Sequence, residues 1–232
     1  MRALLSMTWR DLLFAHWRVD PDAVRRRLPA DVDVDTYDGD AYLGVVAFVM
    51  EDIGPRGLPF GLSFGELNLR TYVTVDGQPG VYFFNLDADD RLGVAVARTL
   101  FRLPYYRASM TVDATGEGER REVTFRSRRR TPGAAPVRFD ATYAPTGPFA
   151  TLEPGSIEAF LTERYRFFTT DDCGRRYRGD VDHEPWSLAP ARVDIRDNTL
   201  FRANGFRPPD EKPALVHVAE PMTVDAGRLR RR

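Results

Sequence analysis

The sequence predicts an α+β fold that is built mainly on antiparallel sheet. Strand-like runs of apolar residues recur along the chain, and Asp-Gly pairs of the hairpin type separate several of them. The chain shows no regular alternation of strand and helix, which would favour a parallel sheet. Runs of this number curl into a barrel or pack face to face. With no long linker, internal repeat or low-complexity tract, residues 1–232 are predicted to form one domain with a basic C-terminal tail.

The first half of the chain predicts one short helix and four strands. The helix runs from Pro21 to about Leu28, because Asp20 is a typical N-cap and proline suits the first helical position. Residues 32–53 form two strands joined by a turn at Asp38-Gly39, and the second of these is well buried. Residues 64–75 and 80–88 form a hairpin around Asp76-Gly77.

The second half of the chain predicts two further helices between strands. Leucine and valine recur at helical spacing over residues 91–103, and Ser156 is a suitable N-cap for a helix over 156–168. Strands are predicted at 105–114, 121–129 and 137–145. Residues 174–196 and 214–226 are expected to complete the sheet.

Composition indicates an ordinary soluble protein. The chain has 43% hydrophobic residues, a formal net charge of −1 and a sequence pI near 6.3. No apolar run approaches the ~20 residues of a membrane span, and the first residues lack a signal-peptide pattern, so we expect a cytoplasmic protein that does not associate with membranes. The arginine runs lack the interleaved aromatic residues and high pI of a nucleic-acid-binding face, so nucleic acid is not an expected partner.

Lysine, cysteine and histidine are scarce in the sequence. Lys212 is the only lysine and lies in a polar, proline-rich segment, so it lacks the dry or cationic surroundings of an imine-forming amine. The single cysteine, Cys173, falls in a predicted turn and is interpreted as a bystander. The three histidines lie far apart in the sequence, which disfavours a metal site. No cofactor-binding motif is present, and we expect neither a metal nor a cofactor.

Polar residues inside apolar strands are the better site candidates. Glu66, Asn68 and Arg70 alternate with leucines, so they share one face of a strand. That face is either exposed to solvent or lines the interior of a closed sheet, where the carboxylate would need a partner. Asn85 is likewise polar within an aromatic strand.

Two histidines, His16 and His183, can be interpreted either as structural residues or as ligand-binding residues. His16 lies between aromatic residues, where it either packs against the backbone or reaches a pocket as a ligand donor. His183 precedes a Glu-Pro-Trp segment and has the same two interpretations.

The segment "ARTLFRLPYY" resembles an active-site segment of acetoacetate decarboxylases. Arg98 and Pro104 match family positions, and Phe64-Gly65-Glu66 is similar to the strand that supplies an active-site glutamate in those enzymes. From about residue 5 to residue 225 the chain resembles domain-of-unknown-function family 2071, in the acetoacetate decarboxylase-like superfamily. The blocks that carry this second resemblance include "WRDLLFAHWRV", "ELNLRTYV" and "GVYFFNLDA". The resemblance implies a cone-shaped, mostly antiparallel β-barrel with flanking helices and a hydrophobic cavity.

The departures from that resemblance exclude Schiff-base decarboxylation. Tyr105 and Tyr106 occupy the positions of the two decarboxylase lysines, and Thr99 occupies that of a family glutamate. Because neighbouring residues on a strand face opposite sides, only one tyrosine should line the cavity, and its position favours Tyr105.

The resemblance and the polar residues together lead to three functional hypotheses. The first is a barrel that binds a small organic acid or dicarbonyl. If it is an enzyme, its chemistry does not use a lysine and is enolisation, hydration, hydrolysis or a lyase reaction. Glu66 is then the acid/base, Tyr105 a donor to a substrate oxygen, and Arg98 or Arg70 an anchor, with Asn85, Tyr106, His16 and His183 as further ligand-binding candidates. The alternatives are a binding or sensing module without catalysis and an interaction protein with a filled cavity. Assembly into a homo-oligomer is left open.

Overall fold

The computed structural model describes residues 3–55, 61–90, 102–171 and 174–231. The fold is mainly β-sheet, with a few short helices. The described strands are β1 (Leu5–Val19), β2 (Asp33–Val34), β3 (Ala41–Gly54), β4 (Leu62–Val75), β5 (Gln78–Ala88), β6 (Tyr105–Thr115), β7 (Glu122–Arg129), β8 (Arg138–Pro145), β9 (Ala150–Thr151), β10 (Arg166–Thr170), β11 (Arg176–Asp182), β12 (Ser187–Asn198), β13 (Leu215–Ala219), β14 (Met222–Ala226) and β15 (Arg230–Arg231).

Four long strands, β1, β3, β4 and β5, form a central wall whose two faces are both buried. Side chains alternate between the faces along each strand, so consecutive residues enter different cores and every second residue enters the same one. The large core contains, among others, Leu13, Ala15, Val45, Leu67, Leu69, Phe125 and Phe139. The cavity core contains, among others, Leu12, Phe14, Val46, Phe48, Phe64, Tyr72 and Tyr105.

Strand pairing continues from the wall in both directions and returns to it. On the large-core side the ladder runs from β5 through β6, β7, β8, β12 and β13 and back to β1. On the cavity side it runs from β5 through β10, β11 and β14 to β1. Most pairs are antiparallel, while β5 pairs in parallel with both β6 and β10. Each core is thus lined by strands that share the same wall.

Irregular positions in the wall strands keep cavity-facing side chains on one face. The β1 register shifts between Arg10 and Leu13, where Asp11 has a φ of 54°, and the β3 register shifts next to Asp52, also at 54°. An extra residue in a strand reverses the alternation beyond it. The cavity core is therefore reached by odd-numbered residues before Asp11 and even-numbered ones after it, as with Met7 and Leu12.

The short helices begin where the sequence predicts but end earlier. Helix α1 (Pro21–Arg25) is capped by the Asp20 side chain, which accepts a hydrogen bond from the backbone of Asp22. Helix α2 (Ile157–Thr162) is capped by Ser156. The prediction of helix through residue 168 is wrong, because residues 166–170 pair with β5 and β11 instead.

Other predictions have mixed outcomes. The turn at Asp76-Gly77 joins β4 to β5 with Val75 opposite Gln78, and both turn residues have positive φ. The turn at Asp38-Gly39 exists, but it is closed only by an isolated bridge between Tyr37 and Asp40, and β2 pairs with β4 instead of β3. Strand β1 and helix α3 (Leu200–Ala203) were not predicted. The helix predicted over 91–103 falls mainly outside the described residues.

Candidate functional site

A cavity of about 140 Å³ opens within the cavity core. It lies between the wall and strands β6, β10, β11 and β14, and its surface is mostly apolar. Among the described residues that line it, Glu66 is the only acid and Arg70 the only base. The volume is similar to that of a protein cavity that accepts one benzene molecule, on the order of 150 Å³. A small organic molecule therefore fits.

Glu66 and Tyr105 form a buried hydrogen-bonded pair on the cavity surface. Tyr105 at the start of β6 donates its hydroxyl to Glu66 Oε2 over 2.6 Å, and Asn68 Nδ2 donates to Glu66 Oε1 over 3.2 Å. Only 3% of Glu66 and 6% of Tyr105 is exposed. Alternation along β4 places Glu66 and Asn68 on the same face, and the parallel pairing of β5 with β6 sets Tyr105 beside Leu86, which also lines the cavity. Two separate strands thus converge on one carboxylate.

Burial changes the acidity of both members of this pair. Loss of hydration raises the pKa of Glu66 to about 7, although its hydrogen bonds from Tyr105 and Asn68 favour the ionised form. The pKa of Tyr105 lies well above its ordinary value, because burial and the neighbouring carboxylate both disfavour a phenolate. Near neutral pH, Glu66 can accept or release a proton while Tyr105 remains a hydrogen-bond donor.

Several polar atoms at the cavity have no hydrogen-bond partner. They are Asn68 Oδ1, Arg70 Nε and Trp9 Nε1, and each is buried. Arg70 donates from Nη2 to the backbone oxygen of Leu161 in α2, over 3.0 Å, and its guanidinium lies 5.3 Å from the centre of the Phe14 ring. Because buried polar groups in native proteins are nearly always paired, these atoms are suited to meet a polar ligand or water.

Two other candidates, Asn85 and Tyr106, lie outside this cavity. An irregularity in β5, where Leu69 is opposite Asn85 but Arg70 is opposite Phe83, turns Asn85 towards the large core. Asn85 there donates to Asp87 Oδ2 over 3.0 Å. Tyr106 points away from Tyr105, and the guanidinium of Arg129 lies 3.9 Å from the centre of its ring. Neither residue lines the cavity with Glu66. For Asn85 this differs from the expectation of a shared pocket, whereas for Tyr106 it is the arrangement that strand alternation predicts.

The two candidate histidines also lie outside the cavity lining. His16 is fully buried, and its Nε2 and the hydroxyl of Tyr72 are 2.7 Å apart. Burial and the nearby charge of Arg70 hold the pKa of His16 well below its usual value, so the ring is neutral. His183 packs against Tyr165 and Trp186, with ring centres 4.6 and 4.8 Å apart. Both rings belong to the packing around the cavity.

Among the described residues, the remaining candidates supply neither an amine nor a metal site to the cavity. Lys212 is exposed in the segment before β13, and Arg98 lies outside the described residues. Within the described part of the chain, no three His, Cys, Asp or Glu side chains cluster as a metal site would require. In that same part, no helix is long and apolar enough to cross a membrane.

Sequence reasoning missed two residues at or beside the cavity, Trp9 and Tyr72. Tyr72 continues the alternation of Glu66, Asn68 and Arg70, so the same period-two pattern could have identified it. Trp9 belongs to the stripe of Leu5 and Met7 on β1, and recognition of that strand would have been needed.

Solved structures with this fold include enzymes. One neighbour is the enduracididine biosynthesis enzyme MppR in complex with pyruvate, with a TM-score of 0.66, 15% identity, and coverage of 100% of this chain and 91% of that one. An acetoacetate decarboxylase-like enzyme from Sphingomonas wittichii RW1 gives a TM-score of 0.62 at 16% identity, over 100% and 95% of the two chains. Acetoacetate decarboxylase from Legionella pneumophila gives 0.61 at 13%, over 98% and 86%. At these identities the likeness concerns the fold alone.

Relatives in sequence identify the family. The uncharacterized protein YqjF of Bacillus subtilis (strain 168) is 40% identical over 224 residues, which are 95% of this chain and 89% of that protein. The family model described as an uncharacterized conserved protein, domain of unknown function 2071, matches residues 6–223. The chain therefore belongs to domain-of-unknown-function family 2071, and its fold is that of the acetoacetate decarboxylase-like proteins.

Proposed function

We propose that the protein binds a small oxo acid in the cavity and catalyses proton transfer at the carbon next to the carbonyl group, without forming an imine. The observation that carries this proposal is the buried hydrogen bond of 2.6 Å between Tyr105 and Glu66. It joins a carboxylate with a pKa of about 7 to a phenol that stays protonated. An acid/base group works best when its pKa is near the working pH.

Each polar group has a role in this reaction. The carboxylate of the ligand pairs with Arg70, and Glu66 removes a proton from the CH₂ or CH₃ carbon next to the carbonyl group. The C–H bond breaks, the proton moves to a Glu66 oxygen, and the electron pair forms an enolate whose oxygen accepts a hydrogen bond from Tyr105. Return of the proton to carbon or oxygen completes the cycle without a further reactant. The pyruvate in the neighbour MppR supports oxo acids as first probes.

The proposed enclosure is a cone-shaped barrel. Its support is that strand pairings return to the wall through β13 and β1, and through β14 and β1. An enclosure of this kind excludes bulk water from Glu66, which strengthens the electrostatic effects on which proton transfer depends.

A second candidate function is ligand binding without turnover. The mostly apolar surface and the unpartnered Arg70 Nε are as suitable for a sensor as for an enzyme. In that case the Glu66–Tyr105 pair recognises a carbonyl or hydroxyl group of the ligand and transfers no proton.

Hydrogen–deuterium exchange separates the two functions. Purified protein in D₂O is mixed with 2-oxobutanoate, 2-oxohexanoate or 4-oxopentanoate, and the loss of protons next to the carbonyl is followed by NMR. We expect the wild type to accelerate exchange of at least one probe. Glu66→Gln should slow the catalysed exchange by about 10²–10⁴-fold, the usual contribution of a general base, and Tyr105→Phe by about 10²-fold.

The control is Glu153→Gln, the same substitution at an exposed site, which should exchange at the wild-type rate. Calorimetric titration with the same probes measures binding. Binding without acceleration would establish the sensor, and wild-type exchange by Glu66→Gln would contradict the assignment of the base.

A further inference from the structure

The cavity is divided along β4 into a polar end and an apolar end. The side chains that line it from this strand are, in order, Leu62, Phe64, Glu66, Asn68 and Arg70. Successive residues on one face are about 6.6 Å apart, so Leu62 lies roughly 13 Å along the strand from Glu66, on the side opposite Arg70. Arg70, Asn68 and Glu66 therefore form the polar end of the cavity, and the side chains beyond Glu66 on this strand, Phe64 and Leu62, are hydrocarbon.

Register on the neighbouring strands gives the same division. Phe14 pairs with Val46 and Val46 with Asn68 at the polar end. At the other end, Ile53 pairs with Leu62 and Met50 with Phe64. The surface there is completed by residues that pair across three strands: Leu5 with Ala226, and Ala226 with Val181. Trp9 is opposite Met50, but the centre of its ring lies 5.0 Å from that of Phe48, which is opposite Glu66. The other side chains at this end carry no hydrogen-bonding group, so a polar ligand atom among them would lose its water without compensation.

We propose that the ligand is a monocarboxylate with a short hydrocarbon tail, bound with its carboxylate towards Arg70 and its tail directed past Glu66 towards Leu62, Met50 and Ala226. The proposal rests on the binding part of the proposed function and specifies its ligand class. A void of about 140 Å³ limits the tail, because a cavity of this size accepts on the order of six carbon atoms. The preferred chain therefore has about five or six carbons, and a second carboxylate at its far end is rejected.

A chain-length series tests this inference on the full-length protein. Straight-chain carboxylates from acetate to decanoate are titrated by calorimetry. Affinity should rise by about fourfold for each methylene group up to about six carbons and then level off or fall. Hexanedioate should bind at least about 100-fold more weakly than hexanoate, because its second charge has no partner at the apolar end.

Variants at the two ends identify the orientation. Ala226→Leu should move the affinity maximum to shorter chains, and Met50→Ala should move it to longer ones. Arg70→Met should weaken all chain lengths by a similar factor and preserve the slope. Thr223→Leu, at an exposed position on the same strand as Ala226, should keep the wild-type profile.

Three results with the wild-type protein would overturn the inference. These are equal affinity for acetate, butanoate and hexanoate, equal affinity for hexanoate and hexanedioate, or no saturable binding of any member of the series. Maxima that stay fixed in both Ala226→Leu and Met50→Ala would also overturn it. The dependence of affinity on chain length and the exchange of protons test the two proposals separately. A slope without exchange contradicts only the proposed catalysis, and exchange without a slope contradicts only the tail assignment.

Discussion

The two faces of the wall bury polar groups in opposite ways. On the large-core side, Asp87 receives two hydrogen bonds of 2.7 Å from Nε and Nη2 of Arg129. Asn85 donates to the same carboxylate and accepts from Asn204. These groups satisfy one another, although Ser127 Oγ on this side has no partner. The network is complete without a ligand.

On the cavity side, similar residue types are left incomplete. Glu66 accepts hydrogen bonds from a phenol and an amide but forms no ion pair with any described residue, and its pKa rises to about 7. Asn68 Oδ1 and Arg70 Nε are buried without partners. The same wall therefore carries an ion-paired acid on one face and, on the other, an acid that forms no ion pair with the described residues. The difference is where the positive charge lies relative to each carboxylate.

Removal of the cation on the large-core side should have the largest effect. Arg129→Met leaves Asp87 buried and unpaired, so we expect a loss of about 3–5 kcal/mol in the free energy of unfolding, measured by urea denaturation at pH 7. Arg128→Met is the matched control, since Arg128 is the exposed neighbour on the same strand, and it should change stability by less than about 0.5 kcal/mol. A loss below 1 kcal/mol for Arg129→Met would show that the two faces do not differ as described.

The cavity side should respond through pH instead. The folded-state pKa of Glu66 is raised, so its ionisation costs folding energy. This contribution is fully favourable below the unfolded pKa near 4.5 and is lost as the pH rises through about 7. Glu66→Gln lacks the ionisation. Relative to the wild type, it should therefore gain on the order of 2–3 kcal/mol of stability between pH 5 and pH 8.

Denaturation curves at several pH values for both proteins give this difference. Glu153→Gln, at an exposed position, should follow the wild-type dependence. A constant difference between Glu66→Gln and the wild type across this range would mean that Glu66 has an ordinary pKa.

Sequence patterns identified the polar face of β4 but not everything that meets it. Glu66, Asn68 and Arg70 alternate over a regular stretch, so their common face follows from strand geometry alone. Asn85 was proposed for the same pocket only because it is polar within an aromatic strand, and a shift in β5 next to Phe84 places it on the other face. Such a shift depends on the partner strand and leaves no mark in the local sequence.

Strand β1 and the second half of the segment after Ser156 show a different limit. Both faces of β1 are buried, so its run "DLLFAHW" lacks the alternation that marks a strand with one exposed face. Residues 166–168 continue an apparent helical pattern, but ladder pairing with β5 and β11 determines their conformation. Tertiary pairing overrides local preference in both cases.

Two asparagines on adjacent wall strands provide the finest comparison, with the smallest expected effects. Asn85 and Asn68 are both buried, at 0% and 3% exposure, yet only Asn85 has partners for both its amide nitrogen and its oxygen. Asn85→Leu removes bonds to Asp87 and Asn204, and we expect a loss of about 2 kcal/mol in the free energy of unfolding.

Asn68→Leu should cost less than about 1 kcal/mol, because it removes one bond of 3.2 Å to Glu66 and also an oxygen that is already buried without a partner. Urea denaturation of both variants at pH 7 measures the difference. Equal losses would mean that the oxygen of Asn68 is satisfied in solution, for example by water in the cavity. A larger loss for Asn68→Leu would reverse the comparison, since the cavity face would then contribute more to stability than the matched network behind it.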